Sequence, residues 1–204
     1  MYQVVGATGS GKTHFVKELL EKHEIMVDPP FDKKIYAYGE WQPAYESMKN
    51  VEFVRGLTED TVKRENLKGH TILVIDDLAD EIDGKLIGNL FTKYSHHRNL
   101  SVCFLLNNLF FKGLSTMRLV SLNTHYLCLF KSARDHNSIE TIGRQMFGKA
   151  YKYMLEAYYD ATKAKYGYLI VDSKADSNDR IRLRSQVFPP ATPICYIIPH
   201  GPVK

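Results

Sequence analysis

The chain has 204 residues, which is enough for one domain with its own core and requires no disulfide or metal staple. Hydrophobic residues make up 44% and charged residues 25%, a composition that excludes wholesale disorder. The net charge of +4 is too small to identify a nucleic-acid binder. Its distribution is uneven, with 13 Lys and Arg against 16 Asp and Glu in residues 1–100, and 14 against 7 in residues 101–204. The basic half predicts either a surface for phosphate backbones or an ordinary solvated face.

Cysteine usage and hydropathy indicate the cellular compartment in which the protein is expected. Cys103, Cys128 and Cys195 lie singly in apolar runs, where a free cysteine behaves as a small core residue. Their odd number and wide spacing fit neither a disulfide framework nor a zinc site. No apolar run has the roughly 18 residues of a membrane-spanning helix, and the polar residues 6–13 interrupt any signal peptide. We therefore expect a soluble intracellular protein in a reducing compartment, with no requirement for a membrane.

In chain order, short β-rich runs alternate with helical patterns, which is typical of a parallel α/β sheet. The first half predicts strands at residues 2–5, 34–38, 51–54 and 71–75. It predicts helices at residues 13–22 and 43–49, a helix opening at Thr58, and one at about 80–94. The run at 71–75 is almost wholly apolar and β-branched, as a strand covered on both faces should be.

The second half continues the alternation before it becomes richer in strands. Buried strands are predicted at 101–106 and 125–130, and helices at 138–147 and 151–163. Shorter strands are predicted at 168–171, 181–187 and 194–198. We expect a single domain over residues 1–204, with a mostly parallel central sheet flanked by helices. The strands of about 165–204 would extend this sheet within the same domain.

A phosphate-binding motif follows the first predicted strand. Residues 6–13 read GATGSGKT and match the spacing G-x-x-x-x-G-K-[ST]. In such a loop the glycines let successive backbone N–H groups point at phosphate oxygens, and the next helix presents its positive end to the anion. Lys12 would contact the β- and γ-phosphates, and the Thr13 hydroxyl would ligate Mg²⁺. The motif predicts an ATP site whose loop residues are Gly6, Ala7, Thr8, Gly9, Ser10, Gly11, Lys12 and Thr13.

Two acidic residues follow the apolar run at 71–75. Asp76 is the candidate Mg²⁺ ligand, because a carboxylate at the end of a buried strand is costly unless a cation lies near. Asp77 is the candidate general base for the attacking water, and a helix cap is its alternative role. Asp80 and Glu81 are fallback bases, or simply solvated acids of the next helix.

The predicted strand 101–106 ends at Asn107 and Asn108. Polar residues at the carboxyl ends of parallel strands face the ligand crevice of doubly wound sheets. Asn107 is therefore a candidate sensor of the γ-phosphate or of the attacking water. An ordinary turn residue is the other interpretation.

Seven segments together carry a family resemblance. They are residues 6–13, the strand with Asp76 and Asp77, 94–102 (YSHHRNLSV), 108–110 (NLF), 121–126 (SLNTHY), 130–135 (FKSARD) and 167–172 (GYLIVD). In these segments the chain resembles the genome-packaging ATPases of large double-stranded DNA viruses and Polinton/Maverick-type elements, in the FtsK–HerA branch of P-loop NTPases. The family usually has glutamine where Asn107 stands, and many relatives have Asp-Glu where this chain has Asp76 and Asp77.

The resemblance implies a RecA/FtsK-like P-loop ATPase that translocates double-stranded DNA into a preformed capsid. It implies Mg²⁺ as cofactor, a homo-oligomeric ring of about five or six subunits, and a capsid vertex protein as partner, in the host cytoplasm or nucleus at sites of virion assembly. It also implies an arginine finger that reaches a neighbouring subunit, with Arg98 favoured over Arg118 and Arg134.

Two other functions use the same motif. A small-molecule P-loop kinase would fit the length, but the sequence has no compact arginine-rich lid insertion. A nucleotide-dependent switch in assembly would retain Lys12, Thr13 and Asp76 without moving DNA.

Overall fold

The computed structural model of the protein describes residues 1–67, 69–95, 98–109 and 117–199. It shows a mixed α/β fold with a nine-stranded, mostly parallel sheet flanked by helices. The strands are β1 Tyr2–Val5, β2 Lys33–Tyr38, β3 Glu52–Arg55, β4 Thr71–Asp76, β5 Leu100–Leu106, β6 Tyr126–Phe130, β7 Tyr168–Asp172, β8 Leu183–Ser185 and β9 Ile194–Tyr196. Their order in the sheet is β3-β2-β4-β5-β1-β6-β7-β8-β9.

Six α-helices connect the described strands. They are α1 Lys12–Glu21, α2 His23–Met26, α3 Gly84–Asn89, α4 Met117–Leu122, α5 His136–Phe147 and α6 Tyr151–Ala161. A π-helical segment, Leu90–Tyr94, continues α3. Short 3₁₀ turns lie at Pro43–Ser47, Asp60–Val62, Arg64–Asn66, Gly148–Ala150 and Asp179–Ile181.

The chain divides into two compact units. The first contains the described residues of Met1–Gln3, Thr13–Leu106 and Phe111–Thr124, and the second those of Val4–Lys12, Asn107–Phe110 and His125–Lys204.

The first unit is built on parallel strands. β2 pairs with β3 and with β4, and β4 pairs with β5. All six residues of β4 are buried, because a parallel strand in the middle of a sheet is covered on both faces. The pairing of β2 with β4 places Tyr38 opposite Asp76. Since side chains alternate along a strand, Tyr36 lies on the same face as these two residues.

The second unit is antiparallel in its later strands. β6 pairs with β7 so that Phe130 lies opposite Tyr168, and β8 and β9 follow by further antiparallel pairing. α6 carries Met154, Ala157, Tyr158 and Ala161 on its buried face. The predicted strands 168–171, 181–187 and 194–198 are therefore present as β7, β8 and β9, of which β8 and β9 are shorter than predicted.

Three predicted helices differ from the structure. The helix predicted at residues 43–49 is a short 3₁₀ turn, Pro43–Ser47. The helix predicted from Thr58 is absent, and Asp60–Val62 and Arg64–Asn66 form single 3₁₀ turns instead. Only Val62 of these six residues is buried, so no apolar stripe stabilises a longer helix. The helix expected from about residue 80 begins at Gly84, because the Asp83 side chain accepts a hydrogen bond from the Lys85 N–H and caps it. The sequence analysis did not predict α2 and α4.

The cysteine predictions are confirmed for two of the three residues. Cys103 and Cys128 are buried, and burial raises the pKa of the Cys103 thiol to about 12. The prediction for Cys195 was wrong, since this residue is exposed on β9, the last strand in the sheet order. Apolar residues in an edge strand do not have to be buried under other elements of the fold. In the part of the chain that the structure describes, no helix is long and apolar enough to cross a membrane.

Candidate functional site

The loop between β1 and α1 has the backbone that the phosphate motif needs. Gly9 and Gly11 adopt φ values of 76° and 111°, a region that favours glycine. The Ser10 N–H donates to the Ala7 carbonyl at 3.1 Å, which closes a tight turn within the loop. The predicted strand–loop–helix placement is thus what the structure contains.

Both ends of the loop pack closely against the second unit's own side chains. A Cβ atom on Gly6 would lie 2.5 Å from the Phe130 Cβ, and one on Gly11 would lie 3.1 Å from the Tyr166 Cβ. Tyr166 itself has a positive φ of 63° and is half-exposed. Phe130 and Tyr166 therefore pack against the two ends of this loop and restrict its position. Phe130 fell within a predicted strand, but nothing local in the sequence marks either residue as a loop contact.

The Lys12 ammonium is held by three acceptors. Nζ donates to the Gly6 carbonyl at 2.7 Å, to the Ala7 carbonyl at 3.2 Å and to the Asn107 Oδ1 at 2.9 Å. The structure thus brings together Lys12 and Asn107, two residues that the sequence singled out for separate reasons. The Lys12 ammonium places a positive charge at the loop, which suits the binding of an anion.

A buried hydroxyl in the same loop supports its interpretation as an anion-binding site. The Ser10 Oγ has no hydrogen-bond partner among the residues that the structure describes. It would lie 2.8 Å from a Cβ atom at Gly6. Buried polar atoms are rarely left unpaired, so an orphan inside a glycine-rich turn fits a loop built to surround an oxygen-rich ligand.

Asp76, in the first unit, is a buried carboxylate with two aromatic partners. Its side chain ends β4 with 5% of its surface exposed. The hydroxyls of Tyr36 and Tyr45 donate to its Oδ2 at 2.6 Å and 3.0 Å. Burial, together with the nearby Asp76 charge, raises the pKa of both tyrosines well above the ordinary value, so both remain neutral donors.

Tyr36 and Tyr45 were not predicted from the sequence as partners of Asp76. The alternation in residues 33–38 (KKIYAY) is a signal that Tyr36 and Tyr38 share one face of a strand. It does not say that this strand pairs with the one that ends at Asp76.

Asp77, the proposed base, has a different environment from Asp76. Its side chain is exposed, and its backbone adopts a positive φ of 56°, which Asp tolerates better than most residues. A Cβ atom on Gly39 would lie 2.7 Å from the Asp77 carbonyl oxygen, so the chain is closely packed on one side of this turn. Exposure leaves the carboxylate accessible to water, as a general base requires.

Thr13 and Asp76 are the oxygen donors in the first unit that the sequence assigned to Mg²⁺. Thr13 is the second residue of α1 and is half-buried. A hydroxyl and a carboxylate are suitable donors, since Mg²⁺ is usually held by one or two carboxylates together with water and substrate phosphates. No group of three or more His, Cys, Asp and Glu side chains that could hold a metal occurs among the described residues. The two donors named above are both oxygens, the ligand type that Mg²⁺ prefers over zinc or another transition metal.

Of the three finger candidates, Arg98 has local partners. Its guanidinium donates to the Val62 carbonyl and lies over the Tyr94 ring, 3.6 Å from the centroid. Arg118 and Arg134 are exposed. Within the resemblance segments, His96, His97 and Phe110 lie outside the described residues.

No protein-family model matches the chain, and no curated protein sequence matches it significantly.

Proposed function

We propose that the chain is a Mg²⁺-dependent P-loop ATPase that moves double-stranded DNA into a preformed capsid. The observation that carries the proposal is the position of the Lys12 Nζ, which contacts two carbonyls of the glycine-rich loop and the Asn107 Oδ1. A lysine held in this way can exchange its carbonyl partners for phosphate oxygens with little movement.

Each group has a part in the proposed reaction. The backbone N–H groups of the loop and the Lys12 ammonium bind the phosphates and stabilise the charge that develops on the transferred phosphoryl group. Asn107, which contacts Lys12, positions the γ-phosphate or the attacking water. Thr13 and Asp76 would hold Mg²⁺, and the ion would supply charge that neutralises phosphate oxygens. Asp77 accepts a proton from the attacking water.

The coupling to DNA rests on the family resemblance and on the charge of the chain. Residues 101–204 carry 14 basic against 7 acidic residues, which suits sequence-independent contact with phosphate backbones. In the proposed ring, an arginine of one subunit completes the site of its neighbour, and Arg98, Arg118 and Arg134 are the candidates.

The test is the rate of Mg·ATP hydrolysis with and without long double-stranded DNA, with the oligomeric state measured in the same buffer. The proposal predicts that DNA stimulates hydrolysis and that the stimulation appears only in samples that contain rings.

Two results would favour the alternatives. Rapid hydrolysis by monomers that ignore DNA would contradict the motor and favour a small-molecule kinase, in which water replaces the missing acceptor. Nucleotide-dependent assembly without any DNA effect would favour a switch.

A further inference from the structure

An aromatic cluster contacts the buried carboxylate of the first unit through two of its members. Its members are Tyr36, Tyr38, Trp41, Tyr45 and Phe53, with ring centroids 4.8 to 6.4 Å apart in each contacting pair. Tyr36 and Tyr45 point their hydroxyls at Asp76, as described above. At the other side of the cluster, 49% of Trp41 is exposed.

The two tyrosines bind the same oxygen of the carboxylate. Because the hydroxyls of Tyr36 and Tyr45 both donate to Oδ2, rotation of the Asp76 side chain would break two hydrogen bonds at once. The two donors come from different elements, one from β2 and the other from the turn Pro43–Ser47. Their rings also contact each other, with centroids 4.8 Å apart, so each restrains the other.

We propose that Tyr36 and Tyr45 are positioning residues that orient Asp76 for Mg²⁺, and that Trp41 reports metal binding there through its contact with Tyr45. This inference rests on the proposed function, which makes Asp76 a metal ligand. Outer partners that orient a metal-binding carboxylate typically contribute about 10- to 100-fold to metal affinity.

Trp41 provides an optical signal because it is the only tryptophan in the chain. Its ring lies edge-on to Tyr45, with a centroid distance of 5.4 Å and an interplanar angle of 88°. We expect metal uptake at Asp76 to alter its hydrogen bond with Tyr45, and through the Tyr45 ring the surroundings of this one fluorophore.

The experiment measures the binding of Mn²⁺, as a spectroscopic substitute for Mg²⁺, to the full-length protein in the presence of ADP. Electron paramagnetic resonance of the free ion gives the dissociation constant directly, and Trp41 fluorescence is recorded in the same titration. Asp76→Asn defines the part of the binding that depends on Asp76.

The variants are Tyr36→Phe and Tyr45→Phe, each of which removes one hydroxyl and keeps the ring. Tyr38→Phe is the matched control, because Tyr38 packs in the same cluster and its hydroxyl makes no hydrogen bond to Asp76 among the described contacts.

We expect the Mn²⁺ dissociation constant to rise about 10-fold or more in each of the two test variants and to stay within about twofold in the control. The Mg²⁺ concentration that gives half-maximal ATP hydrolysis should rise with it, while the rate at saturating Mg²⁺ recovers. The fluorescence midpoint should follow the resonance midpoint. If Tyr36→Phe does not fold, Tyr45→Phe carries the test, since Tyr45 is the one buried residue of a short turn whose other four residues are exposed.

Unchanged Mn²⁺ affinity in folded Tyr36→Phe and Tyr45→Phe, with normal hydrolysis by the wild type, would overturn the inference and leave the proposed function standing. A wild type that binds Mn²⁺ no better than Asp76→Asn and does not hydrolyse ATP would overturn both. A fluorescence signal that does not follow bound Mn²⁺ would overturn the reporter role of Trp41.

Discussion

At the scale of single residues, the contact between Lys12 and Asn107 is the feature on which the account depends. The two positions are 95 residues apart in sequence, yet the Lys12 Nζ and the Asn107 Oδ1 lie 2.9 Å apart. The phosphate motif predicted the function of Lys12, and the end of an apolar strand predicted that of Asn107. Neither prediction made use of the distance between the two residues. Their proximity is therefore independent evidence, and it favours a shared ligand.

Lys12→Ala should lower the rate of Mg·ATP hydrolysis by at least about 100-fold, as loss of a charge-stabilising donor in an active site does. Steady-state kinetics on the purified variant provide the measurement. Lys17→Ala is the matched control, because Lys17 lies on the same helix and bonds to Ser47 and Glu21 instead of the loop. A Lys12 variant that hydrolyses ATP at a near-normal rate would remove the site assignment.

At the scale of elements, the sequence predicted the parts whose local pattern agrees with their surroundings. β4 and β5 are apolar runs and are buried, and the loop at residues 6–13 lies between a strand and a helix. The sequence could not predict the partners of Asp76, because the pairing of β2 with β4 is set by contacts between distant segments. The helix predicted from Thr58 is absent because the residues there do not pack against a core, so local helix preference alone does not stabilise a helix.

Substitution of two glycines of the loop, Gly6 and Gly9, should have different effects on stability and nucleotide binding. Gly6→Ala should destabilise the protein and abolish nucleotide binding, because the new methyl group would lie 2.5 Å from the Phe130 Cβ. Gly9→Ala meets nothing within 4 Å and should cost only the backbone strain of a positive φ, about 1–2 kcal/mol. Urea unfolding and fluorescent-nucleotide binding would compare the two. Equal effects would mean that the loop is not held against Phe130 as described.

Arg98 has a structural role that can be separated from a role in a ring. Arg98→Ala should lower the free energy of unfolding by about 1–3 kcal/mol, because a charged hydrogen bond to Val62 and the contact with Tyr94 are lost. Arg134→Ala, at an exposed position, should change it by less than about 0.5 kcal/mol. Chemical denaturation of both variants measures the difference.

The trans role of Arg98 has its own test. Mixed rings of Arg98→Ala and Asp76→Ala subunits should recover some hydrolysis if Arg98 acts on a neighbour, since some sites then contain both wild-type groups. No recovery at any ratio, with assembly intact, would transfer the role to Arg118 or Arg134.

At the scale of the whole molecule, the uneven charge of the chain predicts how the proposed motor would bind DNA. An acidic first half and a basic second half give the second half the positive charge for contacts with phosphates. Such contacts release counterions from DNA, so they depend on salt and not on sequence.

The affinity for double-stranded DNA should therefore fall steeply between about 50 and 200 mM salt, by about tenfold or more even if only a few phosphates are contacted. Fluorescence anisotropy with two duplexes of unrelated sequence would measure it, and the two duplexes should give the same slope. A flat response, or a strong preference for one sequence, would contradict electrostatic binding to the backbone.

The most direct test of the central claim is displacement of a third strand from a DNA triplex, which reports movement of a protein along the duplex. The account predicts displacement that requires Mg·ATP, proceeds with intact rings and is lost in Lys12→Ala. Hydrolysis of ATP that depends on Lys12 and proceeds at full rate on this DNA, while the third strand stays in place, would contradict it.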